Sequence, residues 1–306
     1  MSAGVCVLLY GVALVWLCPP VLTRLTRNGL SPRLSVTVWL CAIGLALAAW
    51  TAAGTDLLLH VVGGETGAAP VRYCMHMLLA ISHSGWVGDL VLLVVAIAAL
   101  ILSVIVLYRM AVALRRRWAR SHEHAQAARV LGRPARRPGV VILQADEPAA
   151  YCVAGPPHTI VVTSAALATL NDSELAAVLA HERAHISSRH PQLIMFLQAL
   201  ADAMPRLPLF PAAVRAVGRL VEMCADDAAA RRHGRHTLLD GLFALAGHRG
   251  TAKNSLGAAD TAVLARVMRL SSPAGRAARL RQHIALTATL SVMLAAPIVI
   301  TSLCHH

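Results

Sequence analysis

Charge is scarce in this chain. Only 14% of its 306 residues are Asp, Glu, Lys or Arg, against 57% apolar, and the mean hydropathy is +0.61. Soluble domains carry about a quarter charged residues, so a wholly soluble protein is excluded. Acids are scarcer still: 15 Asp and Glu stand against 28 basic residues, nearly all Arg, for a net charge of +13. The seven cysteines (Cys6, Cys18, Cys41, Cys74, Cys152, Cys224 and Cys304) include no C-x-x-C pair, which argues against a structural zinc knuckle or a thioredoxin-type site. Three of them fall in apolar runs, where thiols behave as small hydrophobes. Aromatics are absent from the main arginine run apart from Trp118, and no base-reading motif accompanies it. No direct nucleic-acid binding is expected.

What the chain has instead is four apolar runs of bilayer length, at about 2–23, 34–55, 86–108 and 284–303. The first lacks a basic segment before it; Arg24, Arg27 and Arg33 follow it, which favours an uncleaved span over a signal peptide. The positive-inside rule places 24–33 in the cytoplasm, leaves 56–85 outside with one Arg and two acids, and brings the Arg-rich segment from Arg109 back inside. Arg276, Arg279 and Arg281 before the last span agree. The expected protein is therefore a mainly α membrane protein of the cell membrane, with both termini extracytoplasmic and an α+β catalytic domain in the cytoplasm between the third and fourth spans. Its expected parts are a membrane domain over 1–110, a basic cytoplasmic linker over 111–139, a peptidase domain over 140–283, and the fourth span with a short tail over 284–306. This topology allows one disulfide, Cys74 with Cys304. His60, His76 and His83 of the outer loop, and Asp89 at the start of the third span, fit a sensing role and plain loop polarity equally well. His122-Glu123-His124 reads as polar helix surface rather than a second metal site.

From Val140 the pattern changes to short β-branched runs, "VVILQADE", "AAYCVAG" and "TIVVTSAAL", broken by Asp-Glu-Pro and Gly-Pro-Pro. They predict two or three antiparallel strands and a short helix at 165–170, with an edge strand to which an extended substrate can pair. Asn171 stands three residues before Glu174 and opens an apolar helical pattern, a capping-box signature for a helix over 172–188. Further helices are predicted over 192–204, 212–233, 237–246 and 259–270.

On the capped helix lies His181-Glu182-Arg183-Ala184-His185. Two imidazoles one turn apart can face a single tetrahedral ion, and the Glu between them can reach a water. With 15 His and 6 Glu in the chain, a chance match is expected roughly 0.01–0.02 times. A catalytic zinc needs a third protein ligand and one open position. Glu222 in "VEMCADDAAA" is the best candidate, with Asp226 one turn later placed to orient a ligand. Asp227 faces about 100° away and is the weaker choice.

His181-Glu182-Arg183-Ala184-His185 with Glu222-Met223-Cys224-Ala225-Asp226 resembles the gluzincin H-E-x-x-H plus E-x-x-x-D pattern. With three spans before it, one after it, and "TIVVTSAAL", "NDSELAAVLAHERAHISSRH" and "AVLARVMRLSSP" within it, the arrangement resembles the BlaR/MecR-type antirepressor zinc metallopeptidases. It departs from the antibiotic-sensing members in lacking the penicillin-binding sensor domain after the last span. The resemblance implies one Zn2+ per chain, a cytoplasmic protein substrate such as a winged-helix repressor of the BlaI type, and self-cleavage as a further reaction. Homo-oligomerisation stays open.

The expected chemistry is hydrolysis of a peptide bond, with His181, His185 and Glu222 on the metal and Glu182 as general base. Tyr151, His233 and His236 are unranked candidates for the oxyanion donor. Rival readings are a quality-control or processing protease of the HtpX/CAAX type, a site-2-type intramembrane protease suggested by Leu239-Asp240-Gly241, and a non-catalytic transducer with a vestigial zinc fold. Asp172, Glu174, Arg183 and Arg189 around the motif argue against a lipid-facing zinc helix.

Overall fold

The structure is a computed structural model that describes residues 3–62, 85–153, 155, 158–247, 258–272 and 274–304. The proposed Cys74–Cys304 pair and the outer-loop histidines His76 and His83 lie outside the described residues, as do the side chains of His60 and Asp89. Three long helices come first: α1 (Ala3–Thr26), α2 (Pro32–Val62) and α3 (Gly85–Leu131). The strands β1 (Arg133–Pro134), β2 (Val140–Leu143), β3 (Ala150–Val153) and β4 (Thr159–Thr163) follow. Then come α4 (Ser164–Thr169), α5 (Asp172–Ser187), α6 (His190–Ala203), α7 (Leu209–His233), α8 (Arg235–Gly247), α9 (Ala258–Ser271) and α10 (Arg276–Cys304). Among the described residues α1, α2, α3 and α10 are long and apolar enough to cross a membrane.

The sheet corrects one expectation. Its order is β1-β2-β4-β3; β3 pairs antiparallel with β4, but β2 and β4 run parallel, Val140 opposite Ile160 through Leu143 opposite Thr163. β3 is displaced to the outside by its return from β2, so the two flanking strands become neighbours. All five residues of β4 are buried, as expected for a strand with partners on both sides. The basic segment 111–139 is a helical extension of the third long helix followed by a short link. Its first part continues α3 as one uninterrupted helix to Leu131, and Arg133–Pro134 then adds a short strand to β2.

The turn between α1 and α2 is tied to the start of α10 and lies beside α7. Trp39 is fully buried, and its indole N–H donates to Thr26 Oγ1 at 3.2 Å. Ser31 N donates to Gln282 Oε1, and Gln282 Nε2 donates to Leu25 O, so α10 begins at the level where α1 ends and α2 starts. The first half of α7 then runs beside these helices. Phe210, Ala213, Ala216, Val217 and Leu220 share one buried cluster with Leu22, Trp39, Ala42 and Ile43. The peptidase region and the apolar helices therefore have a common core.

Gly29 sits at the tightest point of this junction. Its φ is +56°, and a Cβ there would lie 2.1 Å from Met223 Sδ. We expect Gly29→Ala to lower stability by about 1–2 kcal/mol from the left-handed backbone alone, with more from the displaced Met223. Thermal unfolding in detergent checks this; Met223→Ala in the same chain should recover the steric part and leave the backbone part.

Candidate metal centre

The centre is built by two helices that cross. α5 starts at a full capping box: Asn171 Oδ1 accepts from Ser173 N and Glu174 N, and Glu174 Oε2 accepts from Asn171 N. Each such cap is worth about 1 kcal/mol, so the register of the helix is set ten residues ahead of His181. The face carrying His181 and His185 is buried against α7, where Glu222 projects between them. α7 stops at Gly234, whose φ of +84° suits only glycine well.

His181 Nε2 and His185 Nε2 are 3.1 Å apart, and each lies 3.5 Å from a carboxylate oxygen of Glu222. Two ligand atoms about 2.05 Å from a tetrahedral ion are about 3.3 Å apart. The 3.5 Å contacts run from His181 Nε2 to Glu222 Oε2 and from His185 Nε2 to Glu222 Oε1; these separations are of the size a zinc site needs, with nitrogen and oxygen donors of the type zinc takes. The fourth direction is open to two hollows. One is a cleft of about 660 Å³ lined by Tyr151, Cys152, His185, His190 and Glu222, with Arg120 of α3 at its rim. The other, about 190 Å³, reaches His181, Glu182 and Glu222 from the side of Leu242 and Arg266.

The outer contacts decide how each ligand is charged. Asp226 is completely buried, receives two hydrogen bonds from Arg266 (Nε at 2.9 Å, Nη2 at 2.7 Å) and lies 3.1 Å from His181 Nδ1. That last contact is close in distance but poorly aligned for a hydrogen bond. Burial works against the charge on Asp226, but Arg266 and His181 outweigh it and hold the carboxyl at about 2. Burial likewise opposes charge on His181, and the Asp226 and Glu222 carboxylates overcome it, raising the imidazole to about 9. His185 has no such acid behind it; burial takes it down to about 4. Glu222 is held below its usual range by His181 and Arg266, against the effect of burial. Arg266 Nη1 lies 3.2 Å from Glu222, so one guanidinium spans both acids.

Glu182 is aimed at the strands. Its Oε2 accepts the N–H of Cys152 on β3 at 2.8 Å, and burial pushes its carboxyl up, with Glu222 adding in the same direction. A raised, buried carboxyl next to the metal face is suited to taking and returning a proton. The Cys152 thiol itself is pushed up to about 12, by burial first and then by Glu182, and so is not a nucleophile.

The structure brings His181, His185 and Glu222 together, with Asp226 against His181 and Glu182 beside them. Of the oxyanion candidates only Tyr151 lines the cleft; His233 and His236 are exposed and line neither hollow. Asp227 binds Arg269, which also donates to Gly29 O. Asp240 of the Leu-Asp-Gly tripeptide is exposed inside α8. Three participants escaped sequence reading: the Cys152 amide, Arg266, and His190, which is 7% exposed with its Nδ1 3.1 Å from His185 Nδ1. Arg266, Arg269 and Leu270 share one helical face at i, i+3 and i+4, a signal that these arginines turn inward.

Comparison with curated proteins and with solved structures returned no match. The model of peptidase family M48 matches residues 113–281, from the end of α3 to the start of α10, and this span contains every residue of the centre. A match over more than half of the chain, on a site whose three donors have zinc spacing and whose Glu182 has the environment of a base, makes the chain a member of peptidase family M48, whose members are zinc metalloproteases.

Proposed function

We propose that the protein is an integral-membrane zinc metalloendopeptidase that hydrolyses peptide bonds in a cytoplasmic protein as part of signal-regulated proteolysis. One observation carries this: the outer side of an edge strand meets His185 and Glu222 at one cleft, and His181 and Glu182 line a second hollow that shares Glu222 with it. In the β3–β4 register Tyr151 and Val153 turn their amides to β4, so Cys152 turns its own to the side facing α5. An extended segment laid along that side can pair with the main-chain groups of β3 that Glu182 leaves unbound and bring one peptide carbonyl to the metal donors. Bound zinc supplies Lewis acidity, polarising that carbonyl and activating water. Glu182 accepts the proton of the attacking water and delivers it to the leaving amine. His181, His185 and Glu222 would hold the ion, with Asp226 orienting His181 and Arg266 fixing Asp226 and Glu222.

A repressor of the BlaI type is the substrate class we propose first, in line with the order of apolar and peptidase segments. Processing or quality control of membrane proteins is the second reading, favoured by the common core of α7 with α1 and α2, which sets the site close to the apolar helices. Comparing protein N-termini between cells making the wild type and cells making Glu182→Gln tests both. One or a few new N-termini in a DNA-binding protein is the expected result. Many cuts across unrelated membrane proteins would establish the second reading, and identical profiles would refute both.

A further inference from the structure

A concentration of unmatched charge lies behind the metal centre. Between the start of α2, the outer face of α5 and the end of α7 is a hollow of about 570 Å³. Arg33 enters it from α2, Arg183 from α5, and Arg231 and Arg232 from α7; Ser187 and Ser188 line it, and no acid does. Among the described residues none of these four arginines has an ion-pair or hydrogen-bond partner. A second hollow of about 270 Å³ adjoins it through Arg231 and adds Arg235 and Arg279. Its only acid, Asp227, is already bound twice by Arg269.

Basic residues in a last helical turn complement the helix dipole, which explains Arg231 and Arg232 singly. It does not explain why Arg33 and Arg183 approach the same space from two other helices. Like charges facing one concavity repel, and the fork of a guanidinium fits a phosphate group in particular. The position is equally informative. Arg33 is in the first turn of an apolar helix, Arg279 in the first turn of another, and Gln282 ties both ends to that of α1. The hollows thus open where the apolar helices begin, at the depth of lipid phosphates if those helices span a bilayer. The wall of the larger one includes Val36, Leu193 and Val221, apolar surface suited to the base of an acyl chain.

We infer that this arginine-lined hollow binds the phosphate of an anionic phospholipid headgroup, seated against the back of the helix that carries the metal ligands. The hollow shares His190 and Val221 with the cleft but is lined by none of the metal donors nor by Glu182, and the proposal stands whatever substrate the protease cuts.

The test uses the full chain in neutral detergent. Native mass spectrometry is run with phosphatidylglycerol or phosphatidylcholine added, on the wild type, Arg231→Gln/Arg232→Gln, and Arg115→Gln/Arg116→Gln. The last pair removes the same charge from exposed positions on α3. Each membrane-facing arginine changes affinity about fivefold, so the α7 pair should weaken phosphatidylglycerol binding by roughly 30-fold. The α3 pair should leave it near wild type, and phosphatidylcholine should not be retained. Equal retention by all three proteins, or equal losses in both double variants, would overturn the site. Inorganic phosphate raising the melting temperature as much as phosphatidylglycerol, through the same two arginines, would assign the hollow to free phosphate and overturn the lipid. Tighter binding of an acidic peptide than of phosphatidylglycerol would do the same. Unchanged melting temperatures without lipid show that the variants are folded.

Discussion

Glu182→Gln is expected to keep its zinc and lose its catalysis. The amide is the same size as the carboxyl, and its oxygen can still accept the Cys152 N–H that now reaches Glu182 Oε2 at 2.8 Å. Glu182 is not one of the three donors grouped around the metal position, so the ion has no reason to leave. What disappears is a base that can take a proton and return it. General acid–base catalysis contributes roughly 10²–10⁴-fold, and kcat on a peptide substrate should fall by that factor with KM little changed. Zinc content measured on the same preparation separates the outcomes. Wild-type kcat with full zinc would remove Glu182 from the mechanism; loss of zinc along with activity would make it a residue that holds the site.

Asp226→Ala should be the most destabilising single change in the centre. Asp226 is wholly buried and is the main counter-charge of Arg266, whose guanidinium is itself largely buried. Removing one member of such a pair typically costs about 3–5 kcal/mol, because the other charge stays in a low-dielectric site without its partner. The melting temperature in detergent should fall accordingly, and zinc affinity with it, since His181 loses the carboxylate behind its Nδ1. Adding Arg266→Met should restore most of the stability while leaving zinc affinity low. That split distinguishes a cost in folding from a cost in holding the ligand; if stability stays lost in the double variant, the buried pair is not its cause.

The parts of this centre visible in the sequence were those set by local geometry. His181, Glu182 and His185 lie on one capped helix, and Glu222 and Asp226 are one turn apart on another. The adjacent Asp226 and Asp227 were read as one candidate and one weaker choice; each has its own arginine, three residues apart on α9. That pairing depends on how α9 packs, which no spacing within α7 encodes. His190 follows the end of α5 and the left-handed Arg189, so helical periodicity could not place it against His185. The parallel pairing of β2 with β4 was hidden for a similar reason. Strand order depends on where β3 settles, and a run of Val and Ile fits a parallel or an antiparallel neighbour equally well.

One consequence belongs to α3. Its 47 residues form a single helix with no proline, about 70 Å long at 1.5 Å per residue. Arg117 and Arg120 on its distal half line the substrate cleft, and Ala125 and Ala128 are packed beneath the sheet with Val153 and Val161. A rod of this kind is a lever with arms of about equal length on either side of Tyr108. A tilt of about 5° at Tyr108 moves the far end, about 35 Å away, by about 3 Å. That is comparable to the 3.1 Å between the two histidine donors at the metal centre, so a tilt of that size would displace the arginines at the cleft by a distance that matters to the site.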